Sequence, residues 1–300
     1  MKILYGIFNN TIDVTEICSS KLLNNNNMII IPSGDNNRAI YFPDPIFGTL
    51  KKIFIMTDYD VTEYDDFYTI KIDITNNTIT TINNNDVIYK MNDIHSKLTM
   101  KHGDLNFEIP EQRMAINYLT GNEKVLEIGG NIGRNSLVIA HILKQKGNNN
   151  LVTLECDVNF ANQLIENRDL NNFTFHVEKS ALSKRKLIQK GWDTLASDIL
   201  KEGYCWVNTI TLNELTNKYK INFDTLILDC EGAFYYILLD MPQILNNIKL
   251  IIMENDYYDM SQKNYVDEIL KKNNFYTDYV EVGGWGNCYN NFYEVWKKKM

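Results

Sequence analysis

From Pro110 to the last residues, short apolar runs of strand length alternate with segments of helical period, and few folds accommodate that order. KVLEI, LVTLE, FTFHV, TLILD and KLIIME are strand-sized and rich in Val, Leu, Ile and Phe. Between them helices are expected over PEQRMAINYL, residues 134–146, ANQLIENRDL, YYILLDMPQIL and VDEILKKN. Pro110 suits a first helical turn, with Met114, Tyr118 and Leu119 following on one face. Such alternation builds a mostly parallel sheet with helices on both faces, because each parallel strand pair needs a crossover. The closing runs YTDYVEV and FYEVW, joined by the GGWGNCYN loop, are expected to pair antiparallel at one edge. The expected class is therefore α/β, a Rossmann-like, mostly parallel sheet with an antiparallel edge strand.

The first third of the chain reads differently. KILYGIF, MIIIP, KKIFIMT, YTIKIDI and DVIYKM are short, rich in Ile, Tyr, Phe and Thr, and punctuated by Asn, Asp, Gly and Pro, with no sustained helical period. A small all-β domain is expected over residues 1–93, and the α/β domain over 94–300. Asp58, Asp60, Glu63, Asp65 and Asp66 crowd together without a base nearby in sequence. The glycine of a calcium loop is missing there, so a solvated acidic turn is the reading.

Composition narrows the function classes. A net charge of −8 sets an unfavourable field against nucleic acid, so no nucleic-acid partner is expected. No apolar run approaches the ~20 residues of a membrane span, and MKILYGIFNN lacks the apolar core of a signal peptide. A soluble, cytoplasmic chain with no membrane partner is expected. Its five cysteines are scattered without a C-x-x-C pair, which fits a reducing compartment. The forty asparagines, with runs at 24–27, 83–85 and 148–150, suggest an AT-rich genome, in which case a viral source would make the compartment the host cytoplasm.

The sharpest motif is VLEIGGNIGR, residues 125–134: a strand, a glycine turn, then a helix. Glu127 stands near the strand's end, and Gly129, Gly130, Asn131 and Gly133 form a turn that lets backbone approach a ligand. Glu155 ends the next strand 22 residues after Gly133, where a carboxylate can accept bonds from two ribose hydroxyls. Together these describe an adenosine-ribose site, with a tight structural turn as the plain alternative. A dinucleotide G-x-G-x-x-G does not fit, since Ile128 falls at the first glycine, and no G-K-[ST] follows.

These residues carry a family resemblance. EIGGNIGRNSL resembles the D-x-G-A-N-x-G motif of FkbM-type methyltransferases, and LECDVNFANQLIENRDLN resembles that family's second motif. VNTITLNEL with LILDCEG, and then KLIIME, resemble its later motifs in the same order, so the likeness spans about Phe107 to Trp296. Three positions depart from the pattern: Ile227 replaces a lysine, Cys156 a proline, and Phe234 a glutamate. The N-terminal YGIFNNTIDVTEIC and FPDPIFGTLKKIFI are similar to a small β-module found beside varied domains, which implies binding or oligomerisation and no chemistry; a homo-oligomer through it is a possible arrangement.

The resemblance implies a class I methyltransferase sheet, S-adenosylmethionine as cofactor, and methyl transfer to a hydroxyl of a sugar, sugar nucleotide or glycan. By topology, ligands sit outside the carboxyl ends of the parallel strands. Side chains arriving there are Glu127, Glu155, Asp229, Glu231 and Glu254. Asp229 is the first candidate for general base or acceptor-positioning group, set against a role in ordering cofactor or turn. Glu231 is a catalytic candidate with a helix N-terminal role as its rival, and Glu254 a candidate to hold a sugar hydroxyl. The resemblance places Ser180 and Ala181 at adenine, beside Cys156, and Asn135 at the methionine carboxylate or capping the helix. Trp192, Trp285 and Tyr289 could stack on a sugar face. His95, His102, His141 and His176 show no metal spacing, and although strand-end acids can hold magnesium, no motif demands it, so no metal is expected. Lys297–Lys299 read as a solvated tail. The alternatives are a nucleic-acid ribose 2′-O-methyltransferase and a catalytically inactive methyltransferase-fold scaffold.

Overall fold

The computed structural model describes residues 1–57, 60–191 and 193–299. Asp58 of the acidic run and Trp192 of the loop aromatics lie outside the described residues.

The strand runs after Pro110 form one seven-stranded sheet. In chain order its strands are β1 (Val125–Ile128), β2 (Leu151–Leu154), β3 (His176–Glu178), β4 (Thr225–Leu228), β5 (Leu250–Glu254), β6 (Phe275–Glu281) and β7 (Tyr293–Lys298). Their spatial order is β3-β2-β1-β4-β5-β7-β6. β1 to β5 pair parallel, and β7 alone is antiparallel to both neighbours. This is the expected Rossmann-like, mostly parallel sheet with one adjustment: the reversed strand lies between β5 and β6, one place in from the edge.

Helices cover both faces: α1 (Ile109–Tyr118), α2 (Arg134–Lys144), α3 (Val158–Leu170), α4 (Leu212–Tyr219), α5 (Phe234–Asp240) and α6 (Met260–Lys272). The strands' period of two divides the core. Leu126, Ile128, Leu226 and Leu228 pack toward α4, α5 and α6, whereas Val125, Ile227 and Ile252 pack toward α1, α2 and α3. Ile227, where the resembled family has lysine, is thus core filling, and Phe234 is buried among Ile237 and Leu238 rather than facing a substrate.

Two antiparallel sheets make up the N-terminal third. One runs Asn10–Asp13, Lys2–Ile7, Lys52–Met56, Val61–Tyr64, and the other Met28–Ile31, Tyr68–Asp73, Thr78–Asn83. Ile3, Tyr5, Ile29, Ile31, Ile53 and Ile70 share one core between them. DVIYKM, expected as a strand, is instead part of a helix, Asn84–His95. Asn83 caps it by accepting a bond from the Asn85 amide, and Val87, Met91 and Ile94 are buried at helical spacing. That helix crosses the expected boundary at residue 93. The acidic run is not without a base either: Lys52 pairs with Asp65 at 2.8 Å and also with Glu63, reached across strand pairing rather than along the sequence.

The asparagine runs and the lysine tail are structural. The side chain of Asn24 donates to the Thr277 carbonyl and that of Asn25 to the Phe275 carbonyl, so the first run covers the open edge of β6. Asn148 donates to the carbonyls of Gly121 and Glu123, fastening the turn before β1. Lys297 and Lys298 belong to β7. Lys297 pairs with Asp278 at 3.2 Å, and Asp278 also meets Lys71 of the N-terminal sheet at 2.6 Å in a nearly dry contact. Of the expected solvated tail, Lys297 and Lys298 are therefore strand residues, and Lys299 beyond them is exposed. All five cysteines are free. Among the described residues, no helix is long and apolar enough to cross a membrane.

Candidate functional site

The strand order reverses direction between β1 and β4, which opens a crevice at their carboxyl ends. The glycine turn fills its floor. Gly129 has φ 90° and Gly133 φ 94°, and Asn131 between them is also left-handed at 47°. A Cβ on Gly129 would overlap the Asp229 carbonyl oxygen, and one on Gly130 would overlap the Thr153 methyl. The packing of β1 against β4 and β2 therefore demands both glycines whatever the turn binds. The amides of Gly129 and Gly130 both donate to the Leu154 carbonyl at 3.0 Å, tying the turn to the end of β2.

Glu155 follows directly. Its Oε2 accepts from the Asn131 amide at 2.8 Å and its Oε1 from the Asp157 amide at 2.7 Å. The side chain is buried, which pushes its carboxyl above the usual range while those two amide bonds pull it down. Each oxygen retains a lone pair, so a pair of adjacent hydroxyls finds two held acceptors.

Glu127 is drawn beneath the turn rather than into the crevice. Its Oε2 accepts from Ser136 Oγ at 2.5 Å and Thr153 Oγ1 at 2.7 Å, joining β1, β2 and α2. Burial pushes its carboxyl up to about 7 against those bonds. Ser180 Oγ donates to Glu178 at 3.2 Å, and the Ala181 amide donates to the Asn208 carbonyl. Cys156 is half-buried against Gln189. Asn135 does not cap α2, since the N-cap is Gly133. Its buried Oδ1 has no donor, which leaves an acceptor open at the crevice.

At the other side of the crevice stand Asp229 and Glu254, after β4 and at the end of β5. A third carboxylate joins them: Glu111 of α1, such that one oxygen from each of the three lies within 4.8 Å of the others. Burial, then Asp229 and Glu111, pushes the Glu254 carboxyl up to about 11. Burial, then Glu108, Glu111 and Glu231, holds Asp229 well above the usual range. Glu231 sits outside this triad, left-handed at φ 51°. It caps no helix, because α5 begins after Ala233 without a side-chain cap. Burial and a hydrogen bond with Asp256 raise its carboxyl to about 8.

Glu111 was not among the sequence candidates, although a signal existed. It shares a helical face with Ala115 and Tyr118, at i, i+4 and i+7, so it is a carboxylate placed on an otherwise apolar stripe. Tyr293 was missed as well; it pairs with Glu254 across the β5–β7 register. Burial and then Glu111 and Glu254 push its hydroxyl far above the usual range.

The GGWGNCYN loop lies beside the same strand end. Asn255 holds it there, its amide donating to the Phe292 carbonyl and its side chain to that of Asn291, both at 2.7 Å. Trp285 and Tyr289 on this loop are about half exposed, with Trp285 against Phe292 at 5.7 Å. The histidines are dispersed: His102 meets Glu166, His95 meets Gln112, and His176 stacks on Tyr219.

No family model and no curated protein matches the chain. Solved structures similar to it include an O-methyltransferase from Bacillus cereus in complex with SAH, 14% identical with a TM-score of 0.41, covering 71% of this chain and 91% of that one. The O-methyltransferase TomG from Streptomyces achromogenes, involved in tomaymycin synthesis and in complex with SAM, is 13% identical with a TM-score of 0.40, covering 72% and 90%. A ribosomal protein L11 methylase from Lactobacillus delbrueckii subsp. bulgaricus is 13% identical with a TM-score of 0.41, covering 67% and 82%.

Proposed function

We propose that the chain is an S-adenosylmethionine-dependent O-methyltransferase of FkbM type, acting on a hydroxyl of a sugar, sugar nucleotide or glycan. The observation that carries this reading is the juxtaposition of the Gly129–Gly133 turn with Glu155, whose two oxygens are fixed by amides from both flanking loops. The residues fit such a cofactor. Glu155 would take the ribose hydroxyls, the turn the backbone beside it, and Asn135, with its unmet Oδ1, the amino end of the methionine. Ser180, Ala181 and Cys156 would border adenine.

When bound, S-adenosylmethionine supplies a methyl group on a sulfonium, electrophilic enough for a hydroxyl oxygen to attack in line. The chain's own residues orient the acceptor and handle its proton. Asp229 and Glu254 end neighbouring strands beside the crevice and offer hydrogen bonds to an acceptor. Burial and the charge of the neighbouring acids raise both carboxyls, and they act first as positioning groups. Proton removal by Asp229 requires that its neighbours' charge be offset. Trp285 and Tyr289, exposed on the loop at the β5 end, suit the face of a sugar ring. The N-terminal β-sheets, in this reading, serve binding or self-association.

Incubation with methyl-labelled S-adenosylmethionine and a panel of nucleotide sugars and glycans tests the proposal. Label is expected in a carbohydrate product as a base-stable ether. Transfer only to RNA, or none to any carbohydrate, refutes the acceptor class.

A further inference from the structure

We propose that Glu111, Asp229 and Glu254 together bind one hard divalent cation, of the magnesium, manganese or calcium kind, at the crevice. The three carboxylates come from three separate elements, α1 and the ends of β4 and β5, yet one oxygen from each falls within 4.8 Å of the other two. Glu111 is 6% exposed, its carboxyl is turned to that of Glu254, and its Oε2 is buried with no donor. A buried carboxyl oxygen without a donor, facing two further acidic groups, is a standing demand for positive charge.

Among the described residues, no lysine or arginine pairs with any of the three. Of the nearby guanidiniums, Arg113 gives one end to Glu281 and keeps its Nε buried without a partner, and Arg134 pairs with Glu108 at 2.9 Å. The donor set is oxygen only, which suits magnesium, manganese or calcium and disfavours zinc or copper. Three protein oxygens leave coordination positions for water or for a hydroxyl of an incoming molecule. The cation site stands on the carboxylates alone. Its use rests on the methyl-transfer reading: an acceptor hydroxyl bound to the ion would part with its proton more readily, beside the donor.

The spacing of these residues hides the site from sequence. Glu111 is 118 residues before Asp229 and 143 before Glu254, and only the packing of α1 on the strand ends unites them.

Manganese titration of the cofactor-free chain, read by the loss of the free Mn²⁺ electron paramagnetic resonance signal, tests the site. One ion per chain is expected with a Kd below about 1 mM, displaced by Mg²⁺ or Ca²⁺. Glu111→Gln and Glu254→Gln should each weaken binding at least about tenfold, while Glu268→Gln, a surface residue near Lys272, leaves it unchanged. Circular dichroism confirms that each variant folds. Wild-type chain that takes up no Mn²⁺ in this range, or binding indifferent to Glu111→Gln and Glu254→Gln, overturns the proposal. SAH binding measured in EDTA reads the nucleotide site separately. SAH binding without Mn²⁺ binding overturns the cation site and spares the methyl-donor reading. Mn²⁺ binding without SAH binding does the reverse.

Discussion

Glu127 offers a prediction whose sign and size both follow from its burial. The carboxyl is 2% exposed and its pKa is raised from 4.5 to about 7, chiefly by burial. A carboxyl whose native value lies above its unfolded value stabilises the fold at low pH, and that contribution is lost as pH climbs from the unfolded value through the native one. The gap between 4.5 and about 7 corresponds to roughly 3 kcal/mol in total, most of which falls between pH 5 and pH 9. Glu127→Gln keeps the shape and removes the titration. Glu231 and Glu254 titrate in both proteins and cancel in the difference, while Asp229, raised in part by Glu127, is eased by the same substitution and adds in the same direction. Urea unfolding at pH 5, 7 and 9 should show the variant gaining on the wild type by 2–3 kcal/mol across the range, with most of the change between pH 5 and 8. A difference that stays constant with pH, or that moves the other way, would refute the argument that this carboxylate is ionised at a cost beneath the turn.

Two further perturbations address the frame around the site. Gly129→Ala must push β1 from the Asp229 carbonyl and hold a left-handed residue, so a loss of more than about 2 kcal/mol and of SAH binding is expected by urea unfolding and calorimetry; a variant of wild-type stability would contradict the packing. Asp278→Ala strands Lys71 in a buried contact and should cost about 3–5 kcal/mol, whereas Lys71→Met with Asp278→Leu should recover most of it. Equal losses in the single and double variants would show that the contact does not join the N-terminal sheets to β6 as described.

The α/β half was legible because its signals are local. Strand, glycine turn, helix and acid follow one another within VLEIGGNIGR to LVTLE, and the structure reproduces that order. The reversed strand was legible in kind, though its insertion between β5 and β6 depends on pairing that no local pattern encodes. In the N-terminal third, the composition of DVIYKM reads as β-like, while the spacing of Val87, Met91 and Ile94 carries the helical signal. Asn24 and Asn25 read as compositional bias because their partners, Thr277 and Phe275, lie some 250 residues away. Glu111 stayed hidden for the same reason. The cluster in the crevice needs three carboxylates to converge, and convergence is a property of the packed sheet.

The central claim is that Glu155 holds the ribose of a methyl donor above the Gly129–Gly133 turn. Crystals grown with SAH test it most directly. Two ribose hydroxyls within hydrogen-bond reach of Glu155 Oε1 and Oε2 are predicted, with the amino end near Asn135. SAH missing from the crevice, or seated with its ribose away from Glu155, would contradict the account.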